Sequence, residues 1–213
     1  MPGIDPAGLP AAIIRYLVPA ALIAYFCGCF NGSVIVSKYI LRDDVRNHGS
    51  GNAGLTNFYR TFGGPLTFVV ILCDVLKAVV AIQACRFIIA DVPAATYWAA
   101  LFCLLGHMFP CMFHFKGGKG ILSGGTIAFM IDWRLALIVW SAFLLAVVLT
   151  RYVSLGSCCA ALAFPVATWF LISHDPAVMI LSVIICCMIL FMHRGNIRRL
   201  LSGTENRFSF HKK

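Results

Sequence analysis

The chain has 213 residues, 61% of them apolar and only 12% charged, with a mean hydropathy of +0.89. Soluble domains are about 45–50% apolar and about 25% charged, so this composition excludes a water-exposed globule and defines an integral membrane protein. The net charge of +9 falls between apolar segments, which points to membrane orientation and anionic headgroups or substrates, not to nucleic acid.

The N-terminal stretch "MPGIDPAGLPAAIIRYL" has no basic region ahead of its first apolar run, so the first span is expected to be retained. A helix needs about 20 apolar residues to cross the hydrocarbon core. The candidates, in order, are Leu17–Val36, Pro65–Ala90, Ala94–Phe113, Arg134–Thr150, Val153–Ile172 and Ala177–Met192. A shorter piece, "GILSGGTIAFMI" between Gly120 and Ile131, reaches only about 18 Å.

Charge decides whether the short piece crosses. With Lys38, Arg42, Arg46 and Arg60 placed inside, Lys116 and Lys119 return inside two spans later. If the short piece crosses, Arg151 and the tail from His193 are inside as well. That tail holds Arg194, Arg198, Arg199, Arg207, Lys212 and Lys213 against Glu205. Asp91 and the "SHDP" loop then fall outside. The expected architecture is one all-α domain over residues 1–213, a polytopic membrane bundle of seven transmembrane helices. Its fourth span is short and Gly-rich, its N-terminus outside and its C-terminus inside. Gly124 and Gly125 suit such a span to close packing.

Within the second span, Asp74 and Lys77 are three apart and share a face, which predicts an intramembrane ion pair, functional or mutually neutralising. The ten cysteines all lie in apolar runs without the two-pair spacing of a zinc site, so they read as small packing residues and no metal is expected.

The unusual polar sequences all fall at span edges on the expected inner face. In "RNHGSGNAGLTNFYRTFGG" (Arg46–Gly64), Gly49, Gly51 and Gly54 alternate with Ser50, Asn52 and Ala53. Glycines allow positive φ and close backbone approach, and successive N–H groups in such turns bind anions. Asn52, Thr56 and Asn57 add polar side chains, and Arg60 a cation suited to phosphate.

The second stretch, "FHFKGGKG", places Lys116, Gly117, Gly118, Lys119 and Gly120 directly after an apolar span. It fails the nucleotide P-loop pattern, because Gly120 follows Lys119 where Ser or Thr is required. Backbone donors and two ammonium groups remain, enough for a compact anion. In the last stretch, His193 and Asn196 are three apart at a membrane edge and can both face a reacting hydroxyl. His107 precedes an expected kink at Pro110, and His48, His114, His174 and His211 have no partner pattern. Neither a Gly-x-Ser-x-Gly elbow nor paired carboxylates occur.

Four motifs, "GSGNAGLTN", "GHMFP…FKGGKG", "TRYVSLGS" and "HRGNIRRLLSGTE", follow one another at these edges between about Gly32 and Glu205. Together they resemble the PlsY family, the membrane-integral bacterial glycerol-3-phosphate acyltransferases that use acyl phosphate as donor. The resemblance implies transfer of a fatty acyl group to the sn-1 hydroxyl of glycerol 3-phosphate, giving lysophosphatidic acid and inorganic phosphate for phospholipid synthesis. It also implies an active site facing the cytoplasm in the inner membrane, no cofactor, and membrane lipids as surroundings. Catalytic positions by match are His193, Asn196 and Ser50. Phosphate-binding positions are Gly49, Gly51, Asn52, Arg60, Lys116, Gly117, Gly118, Lys119, Gly120, Ser154 and Ser157. Two positions depart from the pattern: no proline follows Gly32-Ser33, and Leu55 stands where a small residue is usual.

Two other readings compete. Acyl-CoA-dependent acyltransferases show His-x-x-x-x-Asp, and no histidine here has an aspartate five positions on. A transporter of a phosphorylated metabolite would suit the basic face, but no internal repeat is visible.

Overall fold

The computed structural model describes residues 13–89 and 93–208. Asp91, His211, Lys212 and Lys213 lie outside the described residues. Among those described, the chain forms ten α-helices and no strand, divided into two units, Met1–Gly118 and Lys119–Lys213.

In the first unit a π-helical turn, Ile13–Leu17, leads into α1 (Val18–Cys29). Then come α2 (Gly32–Ile35), α3 (Leu55–Thr61), α4 (Leu66–Ile89) and α5 (Pro93–Met108). The first apolar run is therefore not one helix, as expected, but a pair bent by 42°. Asn31 causes the break. Its Oδ1 accepts the Val34 N–H at 3.1 Å and caps α2, while its Nδ2 donates to the Ala53 carbonyl at 3.1 Å. The next difference is at Pro110, which does not kink α5. The helix ends at Met108 and a 3₁₀ turn, Cys111–Phe113, follows.

The helix α1 packs on α4 and α5. At the α1–α5 crossing the backbones touch: a Cβ on Gly28 would strike the Cys103 carbonyl, and one on Gly106 the Tyr25 carbonyl. Small residues permit such crossings where lipid supplies no hydrophobic drive between helices. Gly106→Leu is expected to cost on the order of 1–3 kcal/mol through overpacking, read as a lowered Tm in detergent; an unchanged Tm would show that the crossing tolerates a side chain. The predicted pair on α4 is present, Lys77 Nζ lying 2.6 Å from Asp74 Oδ1. Val34, Val45, Ala53, Phe58, Val70 and Phe113 form an apolar core that fastens the loops of this unit to α4.

The second unit holds α6 (Ile121–Ile131), α7 (Trp133–Thr150), α8 (Val153–Leu171), α9 (Pro176–Met192) and α10 (Arg194–Leu201). The hairpin of α7 and α8 carries α6 on one helix and α9 and α10 on the other. Gly125 of α6 lets the Trp140 indole lie against its backbone, where a Cβ would collide. Asp132 caps α7, accepting the Arg134 N–H at 2.7 Å. Between α9 and α10 the axis turns by 61° at His193.

Among the described residues four segments are long and apolar enough to span a membrane: Leu66–Ile89, Pro93–Phe113, Trp133–Thr150 and Val153–Leu171. The two bent pairs raise the number to six. Their outward residues are apolar, Phe87 being 93% exposed, Phe170 76% and Val148 75%, a surface suited to lipid and not to water. All seven apolar pieces of the sequence are helical, but α6, at 11 residues, extends only about 16 Å.

Candidate active site

Each unit gathers its polar groups at helix ends. In the first unit, α3 presents Asn57 to the loop before it. The Asn57 amide donates to the carbonyls of Val45 and His48, both at 3.0 Å, and its Oδ1 accepts the Ser50 N–H at 3.0 Å. Asn57 thus shapes the loop and is not available as the polar ligand the sequence suggested. Gly49 and Gly51 have φ of 56° and 68°, and a Cβ on Gly49 would strike Asn57 Oδ1. Ser50 is exposed at the turn, Asn52 half-buried, and Arg60 exposed on α3. His48, which lacked a partner in the sequence reading, pairs with Asp43 at 2.8 Å.

The second loop of this unit is bound to the first by Arg46. Its guanidinium donates to the Phe113 and Lys116 carbonyls, at 2.8 and 3.2 Å, and pairs with Asp44 at 2.6 Å. Arg46 in turn holds the Asp44 carboxyl below its ordinary range. His114 and Phe115 both adopt φ of 56°, a left-handed backbone that costs non-glycine residues energy.

Gly117 and Gly118 donate their N–H groups to the carbonyls of Met108 and His107, each at 3.1 Å, and the Ala53 N–H reaches the Gly117 carbonyl at 3.4 Å. A Cβ on either glycine would collide with His107. These two amides therefore do not face an anion, contrary to the expectation from sequence. Glycine is required here because the loop lies against the end of α5. Lys116 is exposed.

In the second unit Gly120, at φ 78°, starts α6. The Lys119 ammonium donates to Asn196 Oδ1. The other end of that amide, Nδ2, donates to Glu205 Oε1 at 2.7 Å. Ser154 Oγ donates to the same oxygen at 2.9 Å, and Arg199 Nε to Glu205 Oε2 at 2.7 Å. Burial alone would raise the Glu205 pKa; the hydrogen bonds from Asn196, Ser154 and Arg199 outweigh it and hold the carboxyl below its ordinary value.

His193, buried at 3% exposure, has Nδ1 at 2.8 Å from the Ile189 carbonyl. A carbonyl can only accept, so Nδ1 carries the proton and the neutral ring keeps its lone pair on Nε2. Ser157 turns its hydroxyl back to the Val153 carbonyl at 2.9 Å. The chain after α10 is fastened to the α7–α8 turn: Phe208 N–H donates to the Arg151 carbonyl at 2.7 Å and Arg207 Nε to the Tyr152 hydroxyl at 3.3 Å.

The structure thus joins Lys119, Asn196 and Ser154 through Glu205, a residue that the sequence reading left out. Its signal was present: it is the sole acid among the tail cations, placed after the Ser202-Gly203-Thr204 turn. Arg199, counted in the sequence only among the tail cations, is a partner of that carboxylate.

A helical chain with apolar flanks, and with lysine, histidine, asparagine and glycine-rich turns collected at its helix ends, defines an integral membrane protein equipped to handle a charged ligand. The family model described as glycerol-3-phosphate acyltransferase matches residues 18–203, and the chain belongs to that family. It is 37% identical over 192 residues to the glycerol-3-phosphate acyltransferase of Thermoanaerobacter pseudethanolicus, covering 90% of this chain and 96% of the relative. It is 39% identical over 192 residues to that of Fusobacterium nucleatum, covering 89% and 96%. The crystal structure of PlsY, an integral membrane glycerol 3-phosphate acyltransferase, in its glycerol 3-phosphate form superposes with a TM-score of 0.82 at 31% identity, covering 91% of this chain and 96% of that one. The lysophosphatidic acid form of PlsY gives 0.79 at 30% identity, covering 91% and 95%.

Proposed function

We propose that this glycerol-3-phosphate acyltransferase uses acyl phosphate as its donor and releases lysophosphatidic acid and inorganic phosphate. The sn-1 hydroxyl oxygen attacks the acyl carbonyl carbon, the bond from that carbon to the phosphate oxygen breaks, and the hydroxyl proton leaves with a base or a phosphate oxygen. The observation that carries this reading is the Lys119–Asn196–Glu205 network beside a histidine whose tautomer leaves Nε2 as an acceptor. Such a set binds and orients charged groups, and it holds no activated serine or cysteine. An acyl phosphate needs none, because phosphate is already a good leaving group and orientation with charge stabilisation carries the rate.

In the second unit, His193 and Asn196 position the hydroxyl or the oxyanion, Lys119 neutralises phosphate, and Ser154, Ser157 and Gly120 support them. In the first unit, Ser50, Gly49, Gly51, Asn52 and Arg60 form one phosphate-binding set and Lys116, Gly117 and Gly118 another, with the last two acting through the shape of the loop. The chain is one domain in a bacterial inner membrane with its active site toward the cytoplasm, and α6 is the short fourth of its seven crossings.

The test supplies detergent-purified protein with labelled glycerol 3-phosphate and either palmitoyl phosphate or palmitoyl-CoA. Product with palmitoyl phosphate alone is the expected result. Product with palmitoyl-CoA, or with neither donor, rejects the proposal.

A further inference from the structure

Cys29 and Cys111 depart from the plain packing role expected of the cysteines. Cys29 ends α1 and is fully buried, whereas Cys111 opens the 3₁₀ turn after α5 and is exposed. They are 82 positions apart in the chain, yet their sulfurs lie 4.0 Å from each other.

The fold fixes both sides of this approach. The bare backbone of Gly106 brings α5 against α1 at Tyr25 and Cys29. One helical turn before Cys29, the Tyr25 hydroxyl donates to the Phe109 carbonyl at 2.8 Å, two residues ahead of Cys111. The turn that carries Cys111 is itself closed, since the Phe113 and Phe115 N–H groups both donate to the Pro110 carbonyl at 3.0 Å. Two thiols held in this way can be joined. A disulfide needs its sulfurs at about 2.05 Å, so about 2 Å must be closed, and rotation of the two side chains about their Cα–Cβ bonds supplies movement of that kind.

The difference in exposure sorts the two roles. Oxidation-sensitive thiols are accessible ones with a resolving cysteine beside them. Cys111 is the sulfur that an oxidant reaches, and Cys29 is buried away from the oxidant but in contact with whatever Cys111 becomes.

We propose that Cys111 is a peroxide-reactive thiol and Cys29 its resolving partner, and that together they form a reversible disulfide between α1 and the turn that leads into the Lys116 loop. The Cys111 sulfur attacks one oxygen of hydrogen peroxide and the O–O bond breaks, leaving a sulfenic acid. The released hydroxide takes the thiol proton and becomes water. The Cys29 sulfur then attacks the Cys111 sulfur: an S–S bond forms, the S–O bond breaks, and the departing hydroxide takes the Cys29 proton as a second water. Two thiols lose two electrons in all, and one hydrogen peroxide is reduced to two waters. A thiol reductant returns the pair to the dithiol by exchange. None of this depends on the acyl donor or on where phosphate binds.

The test exposes detergent-purified wild type, Cys29→Ser and Cys111→Ser to hydrogen peroxide. Remaining thiols are alkylated after unfolding, the state of each cysteine is mapped by mass spectrometry of unreduced peptides, and Tm is measured before and after dithiothreitol. Wild type is expected to give a Cys29–Cys111 cross-linked peptide that dithiothreitol removes. Its Tm should rise by about 5 °C or more on oxidation, because closing so long a loop constrains the unfolded chain. In Cys29→Ser, Cys111 should pass on to sulfinic or sulfonic acid, which dithiothreitol does not reverse. In Cys111→Ser, Cys29 should stay reduced and Tm should not rise.

A wild type that forms no Cys29–Cys111 cross-link, or in which Cys111 is overoxidised while Cys29 stays reduced, overturns the proposal. Should the buried Cys29→Ser change prevent folding, Cys111→Ser carries the test, since it alters an exposed position. Oxidation of Cys29 in that variant, or a Tm rise equal to that of wild type, also overturns it.

Discussion

Replacing His193 with alanine is expected to lower kcat by about 10²–10⁴-fold, the range a positioned acid–base group contributes. The ring is buried where α9 turns into α10, and the Ile189 carbonyl fixes its tautomer at 2.8 Å, leaving Nε2 to accept a hydroxyl proton or to orient the hydroxyl. The bend itself does not depend on the imidazole, because the His193 backbone N–H already bonds to the carbonyls of Ile189 and Leu190, at 3.1 and 3.0 Å. The variant should therefore keep its Tm while losing turnover. Single-turnover and steady-state assays with palmitoyl phosphate check this. Near wild-type kcat would remove His193 from the reaction.

Glu205→Gln is expected to damage both activity and stability, although it removes only a charge. The carboxylate accepts from Ser154, Asn196 and Arg199. A glutamine offers one acceptor oxygen and an NH₂ group, so either Arg199 or Asn196 meets a donor. If Asn196 rotates in response, Lys119 loses its acceptor. Leaving the buried Asn196 donor unpaired costs about 1–3 kcal/mol, whereas the partly exposed Arg199 can turn to water; a displaced Lys119 should reduce kcat/KM by about tenfold or more.

The pH dependence gives a second readout. The folded-state pKa of Glu205 is lowered, so its stabilisation is fully present above the ordinary glutamate value of about 4.3 and is lost as pH falls through the folded value. Wild-type Tm should drop over that acid range, and the part due to Glu205 should be missing in the variant. Equal acid sensitivity in both proteins would show that the network does not stabilise the fold.

The seven apolar pieces were legible because hydropathy is a local property, and each became helical, the first as a bent pair. The Asp74–Lys77 pair was legible for the same reason, since three residues on a helix share a face. Its third member, His107, is 30 positions from Lys77, a distance at which spacing says nothing. The break at Asn31 was hidden inside a continuous apolar run, because a buried cap is specified by a carbonyl at Ala53 that only the fold brings near. Gly117 and Gly118 had the composition of an anion nest, yet their amides bond to α5. The sequence shows where the backbone must be bare, not what lies against it. Glu205 was overlooked because it stands amid cations, and a count of charges hides the one that gathers its neighbours.

The bond from Arg46 to the second loop has a thermodynamic consequence. Moving the Phe113–Gly118 segment outward would break its bonds to Arg46, Ala53, His107 and Met108 together, so the segment has little freedom left to lose. The entropy of arranging it was surrendered when the chain folded, not when a ligand arrives. Preorganised surfaces of this kind bind with a small ordering cost. Affinity for an anion at this edge should then be governed by how readily that anion sheds its own water, and should depend only weakly on loop closure.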